Sequence, residues 1–136
     1  MQYEILEHPG DIKIRIFGKD DKELFANAAL GMTSYIYGQK ITEDRQGPVF
    51  FETAEIRSPD KEALLVDWLS EILYRSETNK RAYTDYEILD IKETDLKAKI
   101  GSIEAKAIED IKAVTYSGLK IEKEKDHWEA EVVFDI

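Results

Sequence analysis

The heptapeptide Asp11-Ile12-Lys13-Ile14-Arg15-Ile16-Phe17 has isoleucine at every second position, with charged residues and a final phenylalanine at the others. This period of two predicts a β-strand that buries one face and exposes the other. The turn Gly18-Lys19-Asp20-Asp21 follows, and either aspartate can cap a helix. Apolar residues at helical spacing then predict an amphipathic helix that ends near Tyr37-Gly38. They are Leu24, Phe25, Ala28, Ala29, Met32 and Ile36.

The rest of the chain predicts a second helix and then a strand-rich half. Residues 39–47 are polar and predict a loop, and residues 49–56 predict a strand. In Ser58-Pro59-Asp60 we expect Ser58 to cap a helix and Pro59 to be its first residue. The apolar pattern of that helix ends at residues 76–79. Its stripe is more regular than that of the first helix and consists of Leu64, Leu65, Trp68, Leu69, Ile72 and Leu73. Turn residues then separate short predicted strands at 86–92, 96–103, 104–108, 113–116, 120–124 and 128–135.

This order of elements predicts an α+β fold, with two amphipathic helices packed on a mainly antiparallel or mixed β-sheet. A length of 136 residues with 43% hydrophobic content suits one domain over residues 1–136. The absence of cysteine excludes disulfides, thiolate zinc sites and cysteine nucleophiles. No apolar run approaches the ~20 residues of a membrane span, and the start resembles no signal segment. We therefore expect a soluble, cytoplasmic protein.

The charge of the chain bears on its partners. The sequence has 29 acidic and 19 basic residues, for a formal net charge of −10. Because phosphate groups are bound by cationic surfaces, we expect no direct binding of nucleic acid and none of an anionic membrane. A basic protein partner or a metal ion fits an acidic surface better.

Carboxylates near both ends of the chain are candidate metal ligands. Asp135 is the final residue of the last predicted strand, and the terminal carboxylate of Ile136 is one residue away. Asp11 follows the kinked segment His8-Pro9-Gly10, so pairing of the two strands would gather three carboxylates, which suit a hard cation. The pattern alone favours a solvated acidic face for Asp135, and it fits Asp11 to a surface ion pair or to a cap on the His8-Pro9-Gly10 turn.

Other motifs give less. His8 and His127 are the two histidines, and neither has a histidine or a cysteine at i+3 or i+4, so their spacing gives little support to a transition-metal site. We find no Gly-x-Ser-x-Gly elbow and no glycine-rich phosphate loop. Residues 112–119 fit a buried strand that runs into a turn, with Lys112 solvated.

Taken together, four segments spread over the chain resemble the archease family. In chain order they are His8-Pro9-Gly10-Asp11-Ile12; Leu64-Leu65 with Trp68-Leu69, Glu71 and Leu73-Tyr74; Lys112-Ala113-Val114-Thr115-Tyr116; and Asp135-Ile136. The chain departs from the family at Pro9 and Gly10, where a small or hydroxyl residue and alanine are more usual. Pro9 removes a backbone donor and fixes φ, which bears on the approach to Asp11.

The resemblance implies a non-catalytic activator of the tRNA-splicing RNA ligase, which joins 3′-phosphate or 2′,3′-cyclic phosphate ends to 5′-hydroxyl ends. It implies that the protein promotes guanylylation of the ligase and its multiple turnover, in tRNA splicing and RNA repair. It also implies a bound divalent metal ion, with calcium expected. Asp11, Asp135 and a main-chain or terminal oxygen of Ile136 match the family's metal ligands. Lys112 matches a family lysine and is expected to contact the ligase.

Two other function classes compete with this one. A metal-dependent hydrolase could use the same carboxylates, but it would also need a positioned base and a substrate pocket. A general chaperone or protein-binding module would use the ion only to tie the two ends of the chain together. The resemblance favours the ligase activator over both, whereas composition alone does not rank the three.

Overall fold

A computed structural model describes residues 2–44 and 47–136 of the chain. These residues form two antiparallel sheets, with strand orders β1-β2-β7-β6 and β3-β5-β4, and three helices. The elements are β1 (Tyr3–His8), β2 (Asp11–Gly18), α1 (Asp21–Tyr37), α2 (Gln39–Glu43), β3 (Phe50–Arg57), α3 (Lys61–Asn79), β4 (Arg81–Ile91), β5 (Asp95–Glu104), β6 (Ala113–Lys123) and β7 (Trp128–Asp135). The predicted α+β class is confirmed.

Helix α1 lies between the two sheets. On one side, a Cβ atom added at Gly31 would lie only 3.1 Å from Ile14 and 3.2 Å from Tyr3 of the first sheet. On the other side, the Thr33 hydroxyl donates a hydrogen bond of 3.0 Å to the carbonyl of Tyr83 in the second sheet. Helix α3 contacts β6 of the first sheet and β3 and β4 of the second. Both sheets therefore share one core with the helices, and α1 is buried on two sides instead of along one stripe.

Aspartates cap both long helices. The Asp20 carboxylate accepts a hydrogen bond of 2.8 Å from the Glu23 amide at the start of α1. The Asp60 carboxylate accepts one of 2.8 Å from the Ala63 amide at the start of α3. The prediction that Ser58 caps this helix and Pro59 begins it is wrong. Ser58 instead donates to the Asp67 carboxylate at 2.6 Å, and Asp60 adds a negative charge that favours a helix N terminus.

Three other predictions need correction. The loop predicted over 39–47 contains the short helix α2, and its residues 45 and 46 lie outside the described part of the chain. Residues 104–108 are not a separate strand, because the amides of Ile108 and Glu109 donate to the Ile36 carbonyl at the end of α1, at 2.8 and 3.0 Å. The strands predicted at 113–116 and 120–124 are one strand, β6, whose pairing with β7 is irregular between Thr115 and Lys120.

Among residues 2–44 and 47–136, no helix combines the length and the apolar character needed to cross a membrane.

Candidate metal site at the ends of β2 and β7

The structure brings Asp11 and Asp135 together. Strands β2 and β7 pair antiparallel, and Asp11 lies directly opposite Asp135. The amide of Ile136 donates to the carbonyl of Gly10 at 3.3 Å, so these two residues form a hydrogen-bonded pair. Because the two kinds of pair alternate, Asp11 and Asp135 form a non-hydrogen-bonded pair, with Cα atoms about 4.5 Å apart and side chains on one face. We call this pair, with its neighbours, the Asp11–Asp135 site.

Neighbouring cations do not neutralise this pair. Lys13 and Arg15, the next outward residues of β2, both contact the Glu131 carboxylate, at 3.7 and 3.3 Å. Within the described residues, neither Asp11 nor Asp135 has a hydrogen bond or an ion pair through its carboxylate. Two adjacent carboxylates repel each other, and a divalent cation would offset that repulsion. The oxygen donors present therefore fit a hard metal ion.

Lys112 and Ile136 flank the same pair. The Lys112 amide donates to the Asp135 carbonyl at 2.8 Å, and Ala113 lies opposite Asp135 on β6. The side chain of Lys112 is exposed. The Ile136 amide donates to the Gly10 carbonyl, and this hydrogen bond holds the backbone of Ile136 beside the start of β2. All four residues singled out from the sequence thus lie at one end of the first sheet.

Pro9 and Gly10, which depart from the family pattern, fit together in one tight turn. These residues form the two-residue turn between β1 and β2, and Gly10 has a φ of +86°. Proline followed by a glycine with positive φ is the combination of a type II turn. Across this turn His8 pairs with Asp11, so β2 still begins at Asp11 and keeps Asp135 opposite it.

A second acidic cluster lies at the other end of the β6–β7 pair. The carboxylates of Glu122, Glu124 and Glu129 come within 4.8 Å of one another. Sequence reasoning missed this cluster, because only the register between the strands sets Glu122 opposite Glu129. Beside it, the two ring nitrogens of His127 lie 2.7 Å from the Asp126 carboxylate and 2.9 Å from the Glu129 carboxylate. Both ring nitrogens of His127 are therefore already hydrogen-bonded to carboxylates at this end of the sheet.

We expect the pKa of His127 to be raised above that of an ordinary histidine. Its hydrogen bonds to Glu129 and to Asp126 raise the pKa of its ring. The stabilisation from protonated His127 is thus complete below the pKa of an unfolded-state histidine and is lost as the pH rises through the folded-state pKa. NMR titration of the ring protons should show a raised midpoint, and Glu129→Gln should lower that midpoint. An unchanged midpoint in this variant would contradict the assignment.

Comparison with known proteins places the chain in a family. The model described as Archease protein family (MTH1598/TM1083) matches residues 3–136. The chain belongs to the archease family. The proteins named archease from Methanosarcina barkeri and Methanosarcina acetivorans are each 40% identical to it, over 99% of this chain and 96% of each relative.

Two solved structures share the fold of this chain. The solution structure of Methanobacterium thermoautotrophicum protein 1598 matches with a TM-score of 0.75 and 26% identity, over 98% of both chains. The crystal structure of a Thermotoga maritima archease, described as a possible chaperone, matches with a TM-score of 0.65 and 21% identity. That alignment covers 100% of this chain and 98% of the other, and it supports the archease fold.

Proposed function

We propose that this protein is a non-catalytic cofactor of the tRNA-splicing RNA ligase, which joins 3′-phosphate or 2′,3′-cyclic phosphate ends to 5′-hydroxyl ends. It would promote guanylylation of the ligase and repeated turnover in tRNA splicing and RNA repair. Family membership supports this proposal. The observation that carries it is the register that sets Asp11 opposite Asp135, with Lys112 bonded beside them.

In this proposal the Asp11–Asp135 site holds a divalent metal ion. Asp11, Asp135 and a backbone oxygen of Ile136 would hold it. The family resemblance implies calcium, which suits these oxygens when they are the only protein ligands. The ion would supply a concentrated positive charge at the end of an acidic protein. Lys112, whose exposed side chain adjoins the same end, would contact the ligase.

The placement of these residues favours a cofactor over a hydrolase. Asp11 and Asp135 project from an outward sheet face, and within the described residues no hydrogen bond or ion pair fixes either carboxylate. Enzymes that use metals commonly enclose the ion in a pocket with a positioned base. The cavity of about 360 Å³ beside Tyr37 and Ile111 is lined by neither aspartate. We therefore propose that the chemistry belongs to the ligase.

A multiple-turnover ligation assay with the cognate ligase tests the proposal. Substoichiometric ligase should join more ends in the presence of this protein than alone, and more of the ligase should become guanylylated. The control is an unrelated acidic protein at equal concentration. If the ligase turns over equally well with and without the protein, the proposal is wrong.

Salt should slow association of this protein with the ligase. At a net charge of −10, we expect electrostatic steering to a basic, RNA-binding surface. Stopped-flow association rates should fall as sodium chloride is raised, with a smaller change in the dissociation rate. A rate that does not depend on salt would show that charge does not guide docking.

A general chaperone is the second candidate. The Thermotoga maritima relative is described as a possible chaperone, and here the side chains of Phe50 and Phe51 are 60% and 50% exposed at the start of β3. Exposed aromatic residues can bind unfolded segments. Suppression of aggregation of several unrelated client proteins, without stimulation of the ligase, would favour this candidate over the first.

A further inference from the structure

His8 supplies a third side chain with a ligand atom in the row of cross-strand neighbours that contains Asp11 and Asp135. His8 lies directly opposite Asp11 across the β1–β2 turn, and Asp11 lies opposite Asp135. Residues directly opposite each other in an antiparallel sheet project from the same face, and adjacent strands are about 4.8 Å apart. The imidazole and the two carboxylates therefore stand side by side on three neighbouring strands, with Asp11 in the middle.

The two histidines of the chain differ in their surroundings. Both ring nitrogens of His127 are engaged by carboxylates, at 2.7 and 2.9 Å. The exposed His8 has no hydrogen bond through its ring within the described residues. The positive φ of Gly10 and the fixed φ of Pro9 define the turn that sets the backbone of His8 against that of Asp11. His8 thus combines a fixed backbone position with a free imidazole.

The composition of this row bears on which ion it takes. Calcium is bound by oxygen ligands, whereas imidazole nitrogen suits first-row transition ions. We propose that His8 binds the metal ion of the Asp11–Asp135 site through a ring nitrogen, which makes the site prefer divalent transition ions to calcium. This inference rests on the proposed metal site and adds a ligand that the family comparison did not supply.

The three side chains must turn to share an ion. Their ligand atoms are not gathered within 4.8 Å, as those of Glu122, Glu124 and Glu129 are. His8 and Asp135 are exposed and Asp11 is half-buried, and none of them has a side-chain partner to give up. Rotation about χ1 and χ2 can therefore bring both outer side chains over Asp11 without breaking existing contacts.

Metal titration of the whole protein tests this inference without the ligase. Calorimetric titrations with Mn²⁺, Zn²⁺ and Ca²⁺ would compare the wild type with His8→Gln, and with His127→Gln as the matched control. Loss of a ligand should weaken binding of Mn²⁺ and Zn²⁺ by about tenfold or more in His8→Gln. Calcium affinity should change little, and His127→Gln should bind all three ions like the wild type at this site.

Paramagnetic broadening locates the ion directly. At substoichiometric Mn²⁺, the ring signals of His8 should broaden before those of His127. Equal Mn²⁺ affinity in the wild type and His8→Gln would overturn the inference, as would broadening confined to His127, which would place the ion at the Glu122–Glu129 cluster. Neither result affects the proposed function, which instead fails if the protein does not stimulate the ligase.

Discussion

Asp11→Asn and Asp135→Asn are each expected to abolish stimulation of the ligase while leaving the protein folded. Each substitution removes one of two paired carboxylates and keeps the shape of the side chain. Loss of a ligand should weaken metal binding by roughly tenfold to a hundredfold or more. Because Asp135 is exposed, Asp11 is half-buried and neither has a partner, the free energy of unfolding should change by only about 0.5 kcal/mol or less.

The measurement is the multiple-turnover ligation rate at saturating variant, with circular dichroism as the check on folding. Glu122→Gln is the matched control, because it makes the same change of charge in the same sheet but at the other end of β6. We expect this control to stimulate the ligase like the wild type. Added divalent metal should partly restore stimulation by Asp11→Asn, since one carboxylate and the backbone oxygen remain.

Two outcomes would contradict this account. Normal stimulation by both folded variants would show that the carboxylates do not contribute to activation. Loss of stimulation in the Glu122→Gln control to the same extent would show that the effect is not specific to this site, since it would follow from the overall charge of the protein or from the Glu122–Glu129 cluster. Lys112→Ala gives an independent check, because it should weaken association with the ligase without changing metal affinity.

Alternation along the strands was enough to predict which sheet face Asp11 and Asp135 occupy. Asp11 shares its outward face with Lys13 and Arg15, and Asp135 alternates with buried Phe134, as the pattern indicated. The sequence did not determine that β2 and β7 are neighbours. Pairing between strands far apart in the chain leaves no pattern in the local sequence. The proximity of the two aspartates could therefore be predicted only on the condition that these strands pair.

The misplaced elements have local physical causes. Strand β1 was missed because Ile5 and Leu6 are consecutive apolar residues, with Ile5 opposite Ile14 and Leu6 opposite Lys13 on the other face. This breaks the alternation that marks a strand with one buried face. Ile108 has an apolar side chain that suggested a strand, but its backbone caps α1. Tertiary hydrogen bonds outweighed local propensity there.

The stripe of apolar residues predicted that α1 is buried on one side, but it did not predict that α1 lies between two sheets. Small residues give the clue in retrospect, because Gly31 allows Ile14 and Tyr3 of the first sheet to approach closely. Thr33 is polar and is not part of the predicted apolar stripe, yet it is buried and its hydroxyl donates to the Tyr83 carbonyl of the second sheet. A buried polar residue that satisfies a backbone carbonyl cannot be recognised from periodicity alone.

Trp68→Ala is expected to cause the largest loss of stability. Trp68 is fully buried on α3, and its indole nitrogen donates a hydrogen bond of 2.9 Å to the Phe25 carbonyl of α1. Its ring also meets the ring of Tyr86 edge to face, with centroids 5.8 Å apart. The substitution would leave a cavity where α3, α1 and the second sheet meet. We expect a cost of about 3–5 kcal/mol, out of a total of about 5–15 kcal/mol.

Urea denaturation followed by circular dichroism measures this loss, as a fall of about 2 M in the midpoint. Tyr74→Ala is the matched control on the same helix, because the Tyr74 side chain is 64% exposed and its loss should change stability by only about 0.5 kcal/mol. Trp68→Phe should fall between the two, since it keeps an aromatic ring and removes the bond to Phe25. If Trp68→Ala unfolds at the same urea concentration as Tyr74→Ala, then Trp68 does not join α3 to α1 and the second sheet in solution. The core that supports the Asp11–Asp135 site would then be packed differently from the core described above.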